Sequence, residues 1–406
     1  MSIPIRKPRL AVVSPFLDKS HGTERMIVEW LSRLDGRFEL HVYSQHVEDL
    51  QHSAVIWHRI PKLPGPHLFN YVWWFAANHL CRWWHREVHD LRYDLVFSPG
   101  VNCLDSDVVS VHIIFAELLR RIGAQLQLRT NPVRSWPVLV HRRLYYRLIV
   151  ALEHRVFTNP DTQLILTSPR TAAELERLYS RSEKFPLVCA GIDPATFNPA
   201  RRESLRSEAR RSLGLAPDDF VLTLIGNDWR KKGLAALLQA IANLPELPLR
   251  LLVVGSESSA TLRSFQKCFP DERVIFLKPR RDVEFYYAAT DAYVGPSLED
   301  TFALPALEAM ACGLPVIMSS RAGVAAFIQN GANGLIIDDP TDAASLASTI
   351  RKLYAQPELC ARLGEKASET ARQFTWEQNA DLLAQIFEQV ISRKLQARMQ
   401  TMTQEI

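Results

Sequence analysis

The stretch PSLEDTFALPALEAMACGLPVI, Pro296–Ile317, links one apolar run, Ala292–Val294, to the next, Pro315–Met318, through a polar loop and a short helix. Pro305 suits the first turn of that helix, where its missing N–H does no harm. Glu308 then falls about one turn further in. The backbone N–H groups of Thr301–Leu304 face out of the helix N-terminus, which favours a phosphate. A carboxylate at Glu308 can accept two hydroxyl hydrogen bonds from a ribose, and Asp300 stands eight residues before it. An acidic helix start with no ligand at all would look similar, since Asp and Glu are favoured there.

The pattern around this stretch repeats. Upstream lie Phe220–Ile225, Leu249–Val254 and Val274–Leu277, each short, apolar and rich in β-branched or aliphatic residues, with a helical run at Leu234–Ala242. Strand alternating with helix implies a parallel sheet covered on both faces. The same alternation fills the first half of the chain. Strand-like runs occur at Leu10–Val13, Glu39–Tyr43, Leu95–Ser98, Val108–His112 and Leu164–Thr167. An amphipathic helix after Gly22 has Met26, Ile27, Trp30, Leu31 and Leu34 on one face. Gly191, Pro194 and Pro199 cluster at the joint, Ala190–Glu203.

Length and composition agree with two domains. The chain has 406 residues, 47% of them hydrophobic and 23% charged, enough to bury two sheets. The net charge of +4 is unevenly spread: residues 1–180 hold 22 Lys+Arg and 17 Asp+Glu, a net of +5, leaving 26 against 27, a net of −1. Six dispersed cysteines form no CxxC pair and suit a reducing cytosol. The N-terminus reads as a first strand and not as a signal peptide, so a cytoplasmic protein is expected.

Pro–Ser, an acidic residue, Phe–x–Leu–Pro and Leu–Glu–Ala–Met–Ala–x–Gly–x–Pro–Val together resemble the signature of the GT4 group of GT-B glycosyltransferases. That group carries a Glu-x7-Glu pair, which here is Asp300 and Glu308. The resemblance implies the GT-B fold: two facing Rossmann-like, doubly wound α/β domains with a cleft between them. It places an acceptor-binding domain at residues 1–190, completed by a C-terminal helix at about 378–398, and a nucleotide-sugar-binding domain at 191–377. The closing helix rests on FTWEQNADLL, Phe374–Leu383, and CAGIDPATFNP, Cys189–Pro199, resembles the interdomain element.

By the same resemblance Glu308 holds the ribose and Asp300 orients the donor sugar, with Glu299 beside it. Phe302, Ala303 and Leu304 lie near sugar and phosphate. Ala303 occupies a position where the group usually has Gly. IGNDWRKKG, Ile225–Gly233, resembles the strand and loop whose Lys and Arg neutralise the leaving diphosphate. Lys232 matches the Lys; Asn227 replaces the usual Arg, making Arg230 the substitute candidate. This variant loop is similar to that of lipopolysaccharide-core glucosyltransferases. HGTER, His21–Arg25, resembles the Gly-rich first loop, with Gly22 bringing backbone close to the diphosphate. His112 matches the active-site His beside the donor sugar.

The implied activity is retaining transfer of a hexose-type sugar from a nucleotide diphosphate-sugar, such as a UDP-sugar, to a glycan or lipid-linked acceptor, with no cofactor and no metal. A nucleotide-sugar epimerase of the same fold and a non-catalytic binding homologue are the alternatives. LDSD, Leu104–Asp107, contains the DxD of the metal-dependent GT-A transferases, but that reading leaves Lys232 and Glu308 unexplained. Residues 112–157 hold eight Arg (120, 121, 129, 134, 142, 143, 147, 155) against Glu117 and Glu153, and Trp73, Trp74, Trp83 and Trp84 cluster nearby. Either these helices bury their Trp in the core, or the face makes a peripheral contact with anionic membrane. No recognised nucleic-acid module accompanies the charge.

Overall fold

The computed structural model describes residues 6–19, 22–50, 55–127 and 132–404. The chain divides into two compact units, Met1–Cys189 with Glu377–Ile406, and Ala190–Trp376.

The first unit is built on a six-stranded parallel sheet. Its order across the sheet is Ile56–Arg59, Glu39–Ser44, Arg9–Val13, Leu95–Pro99, Val108–Val111, Gln163–Leu166. The central strand is buried from Leu10 to Val13, which is why it reads as an unbroken apolar run. Helix Gly22–Leu34 buries Met26, Ile27, Trp30, Leu31 and Leu34, the face its periodicity marked. The strand Ile56–Arg59 gave no clear sequence signal, because it lies at the edge and none of its four residues is fully buried.

The final helix, Trp376–Gln404, belongs to this unit from Glu377 onward. Phe387 is fully buried and meets Phe38 and Phe97 at ring-centroid distances of 6.0 and 5.2 Å. Burying one such ring contributes about 2–3 kcal/mol. Arg37 adds ion pairs to Asp381 and Glu388 at 3.1 and 2.8 Å.

The second unit repeats the architecture, with strand order Val274–Leu277, Leu249–Val254, Phe220–Ile225, Ala292–Gly295, Val316–Ser319, Leu335–Ile337, all parallel. Leu335–Ile337 escaped the sequence reading because three residues carry no periodicity. Where the chain enters and leaves this unit, Ile192 pairs with Thr375. Gly191 is required there: a Cβ on it would sit 2.6 Å from the Trp376 backbone nitrogen.

Among the described residues no helix is long and apolar enough to cross a membrane. All six cysteines are free.

Candidate active site

In the second unit the order of strands reverses between Phe220–Ile225 and Ala292–Gly295, which are neighbours in the sheet. Beyond the carboxyl ends of strands at such a switch point is where open α/β sheets bind ligands. The loop Gly226–Gly233 follows the first of these strands and the loop Pro296–Ala303 follows the second.

Two contacts stitch these loops together. The Leu298 N–H donates to the Lys231 carbonyl at 2.7 Å. Gly233, at φ 76°, lies so close to Pro296 that a Cβ would stand 1.9 Å from the Pro296 carbonyl oxygen. Only glycine permits this approach. The result brings Lys232 Nζ to 2.5 Å from Asp300 Oδ2, with both side chains mostly buried.

Asp300 has a second partner that the sequence did not suggest. Its Oδ1 accepts the Ala303 N–H at 3.0 Å. With one methylene fewer than Glu, this carboxylate folds back onto its own turn, as short acidic side chains do. The Ala303 amide, expected to face the donor, is therefore engaged by Asp300. The turn is anchored further: the Asp300 and Phe302 carbonyls accept N–H groups from Gly323 and Val324 at 3.1 and 2.7 Å. Phe302, Ala303 and Leu304 are all buried.

Ala303 adopts φ 70° and ψ 59°, the left-handed region, which costs an L-residue roughly 1–2 kcal/mol. Ala303→Gly is expected to raise unfolding stability by roughly 1 kcal/mol, read from denaturant melts. An unchanged or lowered stability would mean the turn is not strained.

Helix Leu304–Ala311 starts with Pro305 in its first turn and carries Glu308. The Glu308 side chain is buried, and its Oε2 accepts the Tyr287 hydroxyl at 2.9 Å. Tyr287 is fully buried and also reaches the Pro305 carbonyl at 2.9 Å. Burial, with the Glu308 charge beside it, pushes the Tyr287 phenol far above its usual range, so the phenol stays a donor that holds the carboxylate in one orientation. Sequence spacing alone could not identify Tyr287, twenty-one residues away on another helix.

Asn227 and Arg230 have other neighbours. Asn227 Oδ1 accepts the Ser256 N–H at 2.8 Å and so ties down the next loop. Arg230 is exposed and lines a shallow groove with Gln239, Phe269, Leu298 and Thr341. Neither Lys232, Asp300 nor Glu308 lines that groove. Glu299 is half-buried beside Asp300.

In the first unit, His112 follows strand Val108–Val111. It is nearly buried, stacks on Trp30 at 6.5 Å, and its Nε2 meets the Ser110 hydroxyl at 2.9 Å. Among the described residues its Nδ1 has no hydrogen-bond partner. Burial pushes the ring down to about 4, so it is neutral at pH 7, and the unpaired Nδ1 is itself buried. Gly22 opens its helix, and a Cβ there would meet nothing within 4 Å. His21 lies outside the described residues.

The DxD carboxylates are gripped by cations of their own unit. Arg82 clamps both oxygens of Asp105 at 2.6 and 2.7 Å. Asp107 takes the Lys394 ammonium at 2.6 Å and the Val96 N–H at 2.7 Å.

Residues 206–370 match the model of the family described as glycosyl transferases group 1. A D-inositol 3-phosphate glycosyltransferase of Corynebacterium urealyticum is 30% identical over 249 residues, 58% of this chain and 58% of that protein. The same-named protein of Rhodococcus erythropolis is 32% identical over 249 residues, 58% of this chain and 55% of that protein. The alignments thus span a little over half the length of these curated relatives. Among solved structures, WaaG, a glycosyltransferase involved in lipopolysaccharide biosynthesis, aligns with a TM-score of 0.78 at 22% identity, covering 93% of this chain and 99% of that one. HepE of Anabaena, in complex with UDP and glucose, aligns with a TM-score of 0.69 at 18% identity, covering 94% of this chain and 100% of that one. These likenesses show the fold, which is GT-B, with two Rossmann-like domains.

Proposed function

We propose that this chain, in which residues 206–370 match the group 1 glycosyl transferases, is itself a glycosyltransferase. It transfers a hexose-type sugar from a nucleotide diphosphate-sugar to a glycan or glycolipid acceptor, with retention at the anomeric carbon. The UDP held by the structurally similar HepE makes a UDP-sugar the first donor to try. A lipid-linked acceptor would bring the protein to the cytoplasmic face of a membrane.

The observation that carries this reading is the convergence of Lys232, Asp300 and Glu308 on the loops and helix that follow two adjacent strands at the switch point. Lys232 is a cation held by a carboxylate. An incoming diphosphate offers it a stronger anion, and charge on that diphosphate grows as the bond to the anomeric carbon breaks. The acceptor hydroxyl oxygen forms the new bond to that carbon. Glu308, braced by Tyr287, receives the ribose hydroxyls. His112 supplies a neutral ring nitrogen for a sugar hydroxyl, and Gly22 leaves room for phosphate to approach backbone. Asp300 both holds Lys232 and borders the sugar.

The test is a screen of nucleotide diphosphate-sugars reading out free nucleoside diphosphate, followed by mass analysis of the glycosylated product. Turnover of donor into an isomeric donor with no acceptor present would point to an epimerase instead. Because a lysine stands where other transferases place a metal, activity is expected to survive EDTA. Loss in EDTA with recovery on adding manganese would move the chemistry to Asp105 and Asp107.

A further inference from the structure

Helix His67–His89 has two unlike faces. Trp74, Asn78 and Arg82 point inward and are buried. Phe69, Val72, Ala76, Leu80 and Trp83 follow one another at spacings of three or four residues, so they form a single stripe along the helix. All five are exposed, and so is Trp84 beside them; Phe69, Leu80, Trp83 and Trp84 each show more than half of their surface. At 23 residues the helix is about 34 Å long, and the stripe runs for most of it. Trp74 does go into the core, while Trp83 and Trp84 do not.

A second helix, Trp136–Phe157, packs against the first. The Tyr71 and Tyr145 rings lie 5.6 Å apart, His67 and Tyr145 4.9 Å, and the Leu68 N–H donates to His141 Nε2 at 3.2 Å. This helix also turns an apolar line outward: Trp136, Val140 and Leu144, four residues apart, are all exposed. Apolar side chains exposed in line on two packed helices mark a binding face.

The charge in residues 112–157 is one-sided, eight Arg against two Glu. Arg120 and Arg121 are consumed by Glu117, whose carboxyl they and Arg177 hold far below its usual range. Arg129 lies outside the described residues. The other five, Arg134, Arg142, Arg143, Arg147 and Arg155, reach the surface, and no described carboxylate pairs with any of them. Glu153, on the same helix, faces inward: it is fully buried, receiving the Phe115 and Ala116 N–H groups and the Tyr179 hydroxyl.

We propose that this two-helix face docks on an anionic bilayer, the Phe69–Trp84 stripe entering the headgroup region while Arg142, Arg143 and Arg147 meet lipid phosphates. Exposed Trp beside apolar side chains suits the interface between water and acyl chains, and unpaired Arg suits anionic headgroups. A second copy of the chain fits less well, since a twofold contact would press the same arginines against each other. The proposal does not depend on the enzymatic reading, because lipid binding is measured without donor or acceptor.

The experiment is vesicle flotation of the full chain with phosphatidylcholine alone or mixed with phosphatidylglycerol. Binding is expected only with the anionic lipid and should weaken as salt rises. Arg142→Glu/Arg143→Glu/Arg147→Glu should weaken it by roughly 100-fold or more. Leu80→Glu/Trp83→Glu should abolish it at any salt, with the melting temperature unchanged because both residues are exposed. If either variant unfolds, the salt and lipid dependence of the unmodified chain decides alone. Equal binding to neutral vesicles, no binding to either, or a dimer by light scattering that Trp83→Glu dissolves while vesicles are ignored, would each overturn the proposal.

Discussion

Lys232→Ala is expected to lower kcat by about 100-fold or more, with a smaller change in donor KM, because the ammonium faces charge that grows only as the sugar–phosphate bond breaks. The structure adds a complication that can be turned into a control. Lys232 is also the partner of a mostly buried carboxylate, Asp300, at 2.5 Å. Removing the cation leaves Asp300 Oδ2 without its partner, so the single variant should also melt at lower temperature. Adding Asp300→Asn removes that stranded charge. The double variant should regain much of the melting temperature while kcat stays low. If kcat recovers along with stability, Lys232 is a structural residue and its catalytic assignment fails.

Glu308→Gln is expected to raise donor KM by about one to two orders of magnitude with a lesser fall in kcat. A ribose contact exists before and during reaction alike, and losing its charge-assisted hydrogen bonds costs roughly 1.5–3 kcal/mol. Gln still offers an oxygen to the Tyr287 hydroxyl, which stands 2.9 Å from Glu308 Oε2, so the helix should remain in place. Wild-type kinetics in this variant would move the nucleotide elsewhere. Early melting without any kinetic signature would make Glu308 a core residue that happens to be acidic.

The sequence showed its sheets best where strands are buried on both faces. Phe220–Ile225 and Leu249–Val254 coincide with the observed strands because a fully covered strand is a continuous apolar run between turn residues; Val274–Leu277, half-buried at the other edge, was legible because all four of its residues are apolar. Ile56–Arg59 and Leu335–Ile337 lie at sheet edges, where partial exposure or shortness erases that signal. At the site, motif spacing picked out Lys232, Asp300 and Glu308. It could not show that Asp300 bonds both Lys232 and the Ala303 amide, nor that Tyr287 supports Glu308, since these depend on how loops far apart in sequence meet. Arg230 shows the opposite limit. Its charge and spacing made it a candidate for the diphosphate, and the sequence could not show that it borders a groove with Gly233 and Leu298 while Lys232 is the residue paired with Asp300.

The return of the last helix to the first unit bears on how the protein is made. Phe38 and Phe97 wait for Phe387, which a ribosome adding about 5–20 residues per second delivers only after the entire second unit, roughly 10–40 s later. During that interval the nascent first unit exposes sticky aromatic surface, and the second unit can finish first. Emergence of Phe387, not of residue 189, is then the event that completes the N-terminal half. A stop codon late in the gene would accordingly damage the part translated earliest.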